Sequence, residues 1–163
     1  MKIDTTDIKI LNILQRNGRI TNSALAKEIE MSPPPTLGRV RKLENNSVIR
    51  KYVALVNPST LGVGTLTFVE VTLRGHTKEN VTSFIEAANA MDEIMECHHV
   101  TGDADFLLKI AVKDIPAYEE LVLHKLTTLP HVSNLKTMVV LSTLKEETAY
   151  NLEGGNDGNK NGS

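Results

Sequence analysis

Basic residues crowd one short stretch of the chain: Arg39, Arg41 and Lys42, then Arg50 and Lys51. Cationic groups at this density neutralise phosphate, and an arginine that reaches a base edge reads guanine through two parallel hydrogen bonds. A second stretch, Thr101-Gly102-Asp103-Ala104-Asp105, combines a glycine with two aspartates. Backbone N–H groups beside Gly102 could hold a carboxylate, and Asp103 or Asp105 could hold an ammonium, which together is amino-acid chemistry. The same residues also suit a plain hairpin turn with solvated aspartates. On the residues alone both readings stay open.

Other chemistries find little support. Cys97, His98 and His99 are adjacent in a strand-like segment, so Cys97 and His99 face one way and His98 the other. Three such neighbours cannot converge on one metal, and a structural role is expected. Gly62-Val63-Gly64 lacks the third glycine of a dinucleotide fingerprint, because Thr67 stands there. No Gly-Lys-Ser/Thr phosphate loop and no nucleophile elbow is present. No metal is expected, and no cofactor beyond a small-molecule effector. A single cysteine excludes a disulfide framework and fits a reducing compartment. Met1-Lys2-Ile3-Asp4 turns polar at once, and no run of about eighteen apolar residues follows. No signal peptide and no membrane span are therefore expected, and the cytoplasm is the expected location.

The elements that must position the two stretches follow from charge and periodicity. The chain has 163 residues, 40% apolar and 23% charged, a globular composition. Aromatics are only 4%, too few for a platform that stacks single-stranded bases. Residues 1–56 hold ten Lys/Arg against five Asp/Glu, a net charge of +5. The remainder holds eight against fifteen, a net charge of −7. A basic head on an acidic body suits a polyanion partner for the head alone.

In the head, Asp4 can cap a helix over about Thr5 to Asn17, and Gly18 suits its end. Thr21 can cap a second helix that ends near Glu30-Met31. Ser32 then opens a third, with Pro33-Pro34-Pro35 in a first turn that has no internal N–H partners to lose. Leu37, Val40 and Leu43 read as its apolar stripe, with Thr36, Arg39 and Lys42 on another face. Val48-Ile49 and Tyr52–Leu55 read as two strand pieces around Arg50-Lys51. Three short helices and a basic hairpin make a winged helix-turn-helix over residues 1–56. Its third helix would enter the major groove N-terminus first, with Thr36 and Arg39 nearest the bases. Arg41, Lys42, Arg50 and Lys51 would hold phosphates, and Ser32 sits at the helix entrance. The expected partner is double-stranded DNA.

After a hinge at 57–63 the pattern becomes strand, helix, strand, twice over: Leu66–Leu73, about Lys78–Ala90, Ile94–Val100, then Phe106–Val112, about Ile115–Thr128, Val132–Leu141. Two βαβ units of near-equal length predict a ferredoxin-like βαββαβ domain over 64–145, and an α+β chain as a whole. Alternation puts Val69, Val71 and Leu73 on one sheet face and Phe68, Glu70 and Thr72 on the other. Strand three likewise separates Phe106, Leu108, Ile110 and Val112 from Leu107, Lys109 and Ala111. The second face, with Phe68 and Leu107, is apolar enough to predict a homodimer. The tail over 146–163, rich in glycine and asparagine, reads as disordered.

The motifs resemble the feast/famine (Lrp/AsnC) regulators of bacteria and archaea. The resemblance is carried by Asp4-x-x-Asp7-x-x-Ile10-Leu11, Gly18-Arg19-Ile20-Thr21-Asn22, Ser32-Pro33-x-Pro35-x-Leu37 and Arg39-Val40-x-x-Leu43-Glu44. Tyr52-x-Ala54-x-Val56-Asn57-Pro58, Glu96-Cys97-His98-x-Val100-Thr101-Gly102-Asp103-x-Asp105 and Thr137 continue it. It implies a DNA-binding regulator that dimerises and assembles further, often to octamers. It also implies an amino acid or related small molecule as effector, bound between dimers near the Gly102 loop. Thr101, Gly102, Asp103, Ala104, Asp105 and Thr137 are then the effector residues. Some haem-biosynthesis decarboxylases resemble the same two-domain architecture and use histidines, but they need no basic reading head.

Three residues depart from the family pattern. Glu30 stands where a glycine is frequent, in the turn between the second and third helices. Gly38 replaces a long polar side chain on the third helix, and Ala104 replaces an aromatic in the effector loop.

Overall fold

The computed structural model describes residues 2–152. The chain divides into two compact units: Met1–Leu55 joined by the segment from Lys145, and Val56–Leu144.

The first unit, the head, is built on three helices. Helix α1 (Thr5–Leu14) starts with a reciprocal cap. The Asp7 N–H donates to Asp4 Oδ1 at 2.9 Å, and the Asp4 N–H donates to Asp7 Oδ2 at 3.2 Å. The helix ends at Leu14, before the expected Asn17, although the Arg16 and Asn17 N–H groups both still reach back to the Ile13 carbonyl. Thr21 caps α2 (Asn22–Glu28), its hydroxyl accepting from Ala24 N–H. Glu30 follows at φ +56, the left-handed conformation that a glycine would adopt freely. Ser32 occupies the cap position of α3 (Pro33–Asn45), but its side chain makes no capping bond.

The buried face of α3 keeps Val40 and Leu43 of the expected stripe but takes Thr36 in place of Leu37. Thr36 is fully buried with Leu43, and Val40 packs against the same core. Leu37 is 38% exposed. Positions 36, 40 and 43 follow one helix face, whereas Leu37 lies about 100° round from Thr36. The head core is Ile10, Leu11, Leu25, Ile29 and Leu43. The expected strand pieces around Arg50-Lys51 are absent: after Ser47 (φ +56) the chain runs through residues 50–57 without a ladder. Among the described residues the β-favouring side chains find no strand to pair with.

The tail also differs from expectation. Leu152 packs against the head core, and Gln15 bonds twice to the Tyr150 backbone. The rest of the expected disordered tail, 153–163, lies outside the described residues.

In the second unit, the body, a short 3-10 turn at Ser59–Leu61 falls within the expected hinge. Strands β1 (Thr65–Leu73), β2 (Ile94–His99), β3 (Phe106–Val112) and β4 (Val132–Val139) form one antiparallel sheet in the order β2-β3-β1-β4. Helices α4 (Lys78–Asn89) and α5 (Ile115–His124) share one core with its inner face. Val69, Val71, Leu108 and Ile110 alternate into that core, where Phe84 of α4 meets Phe106 at 4.6 Å between ring centres. This is the βαββαβ fold. Helix α5 stops at His124 rather than Thr128, and a 3-10 turn at Leu126–Thr128 carries Leu126 into the core. Among the described residues no helix is long and apolar enough to cross a membrane.

Candidate nucleic-acid interface and effector loop

On the head, the outward face of α3 carries Pro34, Leu37, Gly38, Arg41 and Lys42, all exposed. Among the described residues, Arg41, Lys42, Arg50 and Lys51 make no ion pair. Four free cations suit phosphate or base contacts. Tyr52 donates its hydroxyl to Glu44 Oε1 at 3.0 Å, tying the chain after Lys51 back to α3. Burial, then that bond, pushes the Tyr52 hydroxyl up to about 12.

Two expected base-reading residues are placed elsewhere. Thr36 is buried and donates its hydroxyl to the Ser32 carbonyl at 2.9 Å, so it faces the core. Arg39 Nη1 donates to Asp4 Oδ2 at 2.8 Å and to Asp7 Oδ1 at 2.7 Å. Its guanidinium joins α3 to the start of α1 instead of standing free, and the two carboxylates hold it firmly charged. The Asp7 N–H, then Arg39, keeps the Asp4 carboxyl below its usual range. Ser32 is exposed at the helix entrance. Position 38 is open: a Cβ there would meet nothing within 4 Å.

On the body, the loop between β2 and β3 carries Gly102 at φ +126, with open space on its Cβ side. Thr101 and Asp103 are exposed, and Ala104 is half-buried. Asp105 is already engaged. Its Oδ2 accepts from Leu73 N–H at 2.8 Å, and its Oδ1 lies 2.7 Å from His76 Nε2. The Leu73 N–H first, and His76 after it, hold this carboxyl below its ordinary value. Asp103 is therefore the aspartate available to an ammonium.

Thr137 does not join the loop within one chain. It pairs with Val69 in β4, on the far side of β1 from β3, about 10 Å across the sheet. Its hydroxyl shares a 2.6 Å hydrogen bond with the Tyr118 hydroxyl of α5. A separate body cleft of about 500 Å³ is lined by Val63, Val112 and Leu121, with Glu93 and Lys125 paired beside it. It shares no residue with the Thr101–Asp105 loop.

Comparison with known proteins matches both units. Residues 3–50 match a family model described as winged helix-turn-helix DNA-binding, and residues 66–150 match the Lrp/AsnC ligand binding domain. The leucine-responsive regulatory protein of Haemophilus influenzae is 44% identical over 144 residues, covering 88% of this chain and 87% of that protein.

The chain belongs to the Lrp/AsnC family.

Its Escherichia coli relative, also a leucine-responsive regulatory protein, is 43% identical over 88% of both chains. An Lrp/AsnC-like fold is found in a transcriptional regulator of Neisseria meningitidis solved with L-Met: TM-score 0.88 at 34% identity, over 93% of this chain and 98% of that one. Escherichia coli AsnC superposes with TM-score 0.83 at 26% identity, over 91% of this chain and 98% of that one. This Lrp/AsnC protein is a DNA-binding transcription regulator with a ligand-binding domain, and not an enzyme. His98 and His99, the adjacent histidines, each have a neighbour within the body. His98 lies 3.0 Å from Glu96, and His99 stacks on Phe106 at 4.8 Å. Burial pushes the Cys97 thiol up, away from reactive thiolate.

Sequence reasoning missed His76 and the Asp4–Asp7–Arg39 cluster in this regulator. Asp4 and Asp7 were legible as a cap, but no spacing rule links them to Arg39. His76 precedes α4 and offers no motif. Its signal is only that the loop aspartate needs a cationic or N–H partner nearby.

Proposed function

We propose that this regulator binds duplex DNA sequence-specifically through the outward face of α3 and the cations Arg41, Lys42, Arg50 and Lys51. An amino acid at the Thr101–Asp105 loop then changes its assembly or its DNA affinity. The observation that carries the effector reading is the Gly102 loop, left-handed and open on its Cβ side, within a ligand-binding domain. Its backbone N–H groups take the carboxylate and Asp103 takes the ammonium. The L-Met bound by the Neisseria relative points to an apolar amino acid, and Ala104 leaves room for a bulky side chain.

Thr137 reaches the ligand only if a second subunit presents it, so the site is completed by assembly. The outer sheet face supports a homodimer. Phe68 pairs with Lys109 on one side and Met138 on the other, with Leu107 beside them. The ion pairs Lys109–Glu96 and Lys136–Glu70 flank these apolar residues. Dimers assembling to a higher oligomer, up to an octamer, would bring effector loops together. A DNA-bound regulator of this kind works in the cytoplasm.

The test is thermal unfolding with each of the twenty amino acids, on wild type and on Gly102→Trp. At least one apolar amino acid should raise the wild-type midpoint and leave the variant unmoved. No shift in the wild type, or an equal shift in both, would sink the effector reading.

A further inference from the structure

We propose that the segment Ala149–Leu152 is a working part of the DNA-binding head. It lies as a strap against α1 and residues 48–53, closing one side of the groove between them, and so holds Arg50 and Lys51 in position for phosphate. The second clause rests on the phosphate role given to those two residues above.

A cavity of about 720 Å³ remains between the strap, α1 and residues 48–53, so the strap forms one of its walls. Ile8, Leu11 and Leu14 line its α1 side, Val48 and Val53 the opposite side, and residues 148 and 150–152 lie along it. Two hydrogen bonds fix the strap. The Tyr150 N–H donates to Gln15 Oε1 at 2.7 Å, and Gln15 Nε2 donates to the Tyr150 carbonyl at 3.2 Å. One side-chain amide thus satisfies both backbone groups of Tyr150, as a rung of a β-ladder would. Two residues on, Leu152 packs against the head core. Backbone registration followed by one apolar anchor is how grooves capture extended peptides.

The contact gives residues 50–53, which have no strand partner, a neighbour across the groove. Arg50 and Lys51 line the same groove as the strap. With the strap seated, that stretch has Tyr52 bonded to Glu44 on one side and the strap on the other. Without it, the stretch would lose a wall and sample more conformations, and two phosphate contacts would carry an ordering cost.

The docking uses the Tyr150 backbone, and the residue is otherwise 76% exposed. The side chain is therefore dispensable where Gln15 and Leu152 are not. The experiment compares the full chain with Gln15→Leu, Leu152→Asp and Tyr150→Ala, by amide exchange and by DNA affinity at several salt concentrations. The Tyr150 amide should be protected in the wild type and in Tyr150→Ala, and should exchange freely in the other two.

Affinity should fall about tenfold in Gln15→Leu and Leu152→Asp. Their salt slope should drop by about 1–2, the signature of one or two lost phosphates. Tyr150→Ala should match the wild type. Free exchange of the Tyr150 amide in the wild type overturns the docking. Protection that disappears on dilution overturns docking within one chain and assigns the strap to a second copy. Paired Arg50→Ala and Lys51→Ala changes separate the remaining failures. If that pair loses affinity and Gln15→Leu does not, the strap's positioning role falls while the contacts stand. If the pair loses nothing, the phosphate contacts fall and the positioning role with them.

Discussion

Arg39 and Asp7 stand 32 residues apart in the chain and 2.7 Å apart in space, with the aspartate side chain almost wholly buried. One guanidinium nitrogen joins the middle of α3 to the first turn of α1. Removing either partner should therefore act on the head's stability and orientation, not on the choice of base. Asp7→Ala should cost about 2 kcal/mol, since it removes a charge-assisted bond and part of a cap. Arg39→Ala and Asp7→Ala should weaken operator and random DNA by similar factors, as measured by competition titration. Arg41→Ala should instead erode the preference for operator by about 1–3 kcal/mol. A loss of operator preference in Arg39→Ala with unchanged stability would return that residue to base reading.

Glu30 adopts φ +56 in the turn between α2 and α3. A side chain there costs about 1 kcal/mol that glycine avoids. Glu30→Gly should therefore stabilise the head by about that amount in denaturant unfolding. An unchanged or lowered midpoint would mean that the Glu30 side chain makes a compensating contact.

Gly38 is an exposed position inside α3 whose Cβ side is empty. Gly38→Ala should raise helix stability by about 1 kcal/mol. If the DNA approaches α3 closely at this point, the more stable variant should bind operator more weakly. Higher stability with unchanged affinity would place the DNA farther from position 38.

Acid should destabilise both units. Asp4, Glu93, Glu96 and Asp105 all have carboxyls held below their ordinary values, by backbone or side-chain donors present only in the folded chain. A folded pKa below the unfolded one favours folding above the unfolded value. That contribution disappears as pH falls through the folded value. Stability measured by denaturant should hold from neutrality to about pH 4 and decline below it. Asp105→Asn should flatten part of that decline in the body. An identical acid profile for the variant would show that the Leu73 and His76 contacts do not bias folding.

Much of the fold was legible because it is written in short-range patterns. Asp4 and Thr21 announce helix starts through the residues that follow them. The alternation of Val69 and Val71 with Phe68 and Glu70 fixes which sheet face is buried. The misplaced site residues depend on partners far along the chain. Arg39 looks like a base reader until the carboxylates of α1 are brought beside it. Thr36 looks polar and free until its hydroxyl finds the Ser32 carbonyl and its methyl the core. Tyr52–Leu55 has strand composition, which speaks for extended backbone and says nothing of a neighbour. The strap was hidden by its surroundings, since Leu152 stands just ahead of a stretch rich in glycine and asparagine that begins after Glu153.

The head is discontinuous in sequence: it starts before the body and takes up chain again after Leu144. During synthesis α1, α2 and α3 leave the ribosome long before Tyr150 and Leu152 have been made. Nascent chains therefore carry three helices with one wall of an apolar groove missing until translation nears its end. On the positioning role proposed above, full DNA affinity arrives only after the body has been made, and a prematurely terminated product carries the three helices without that support.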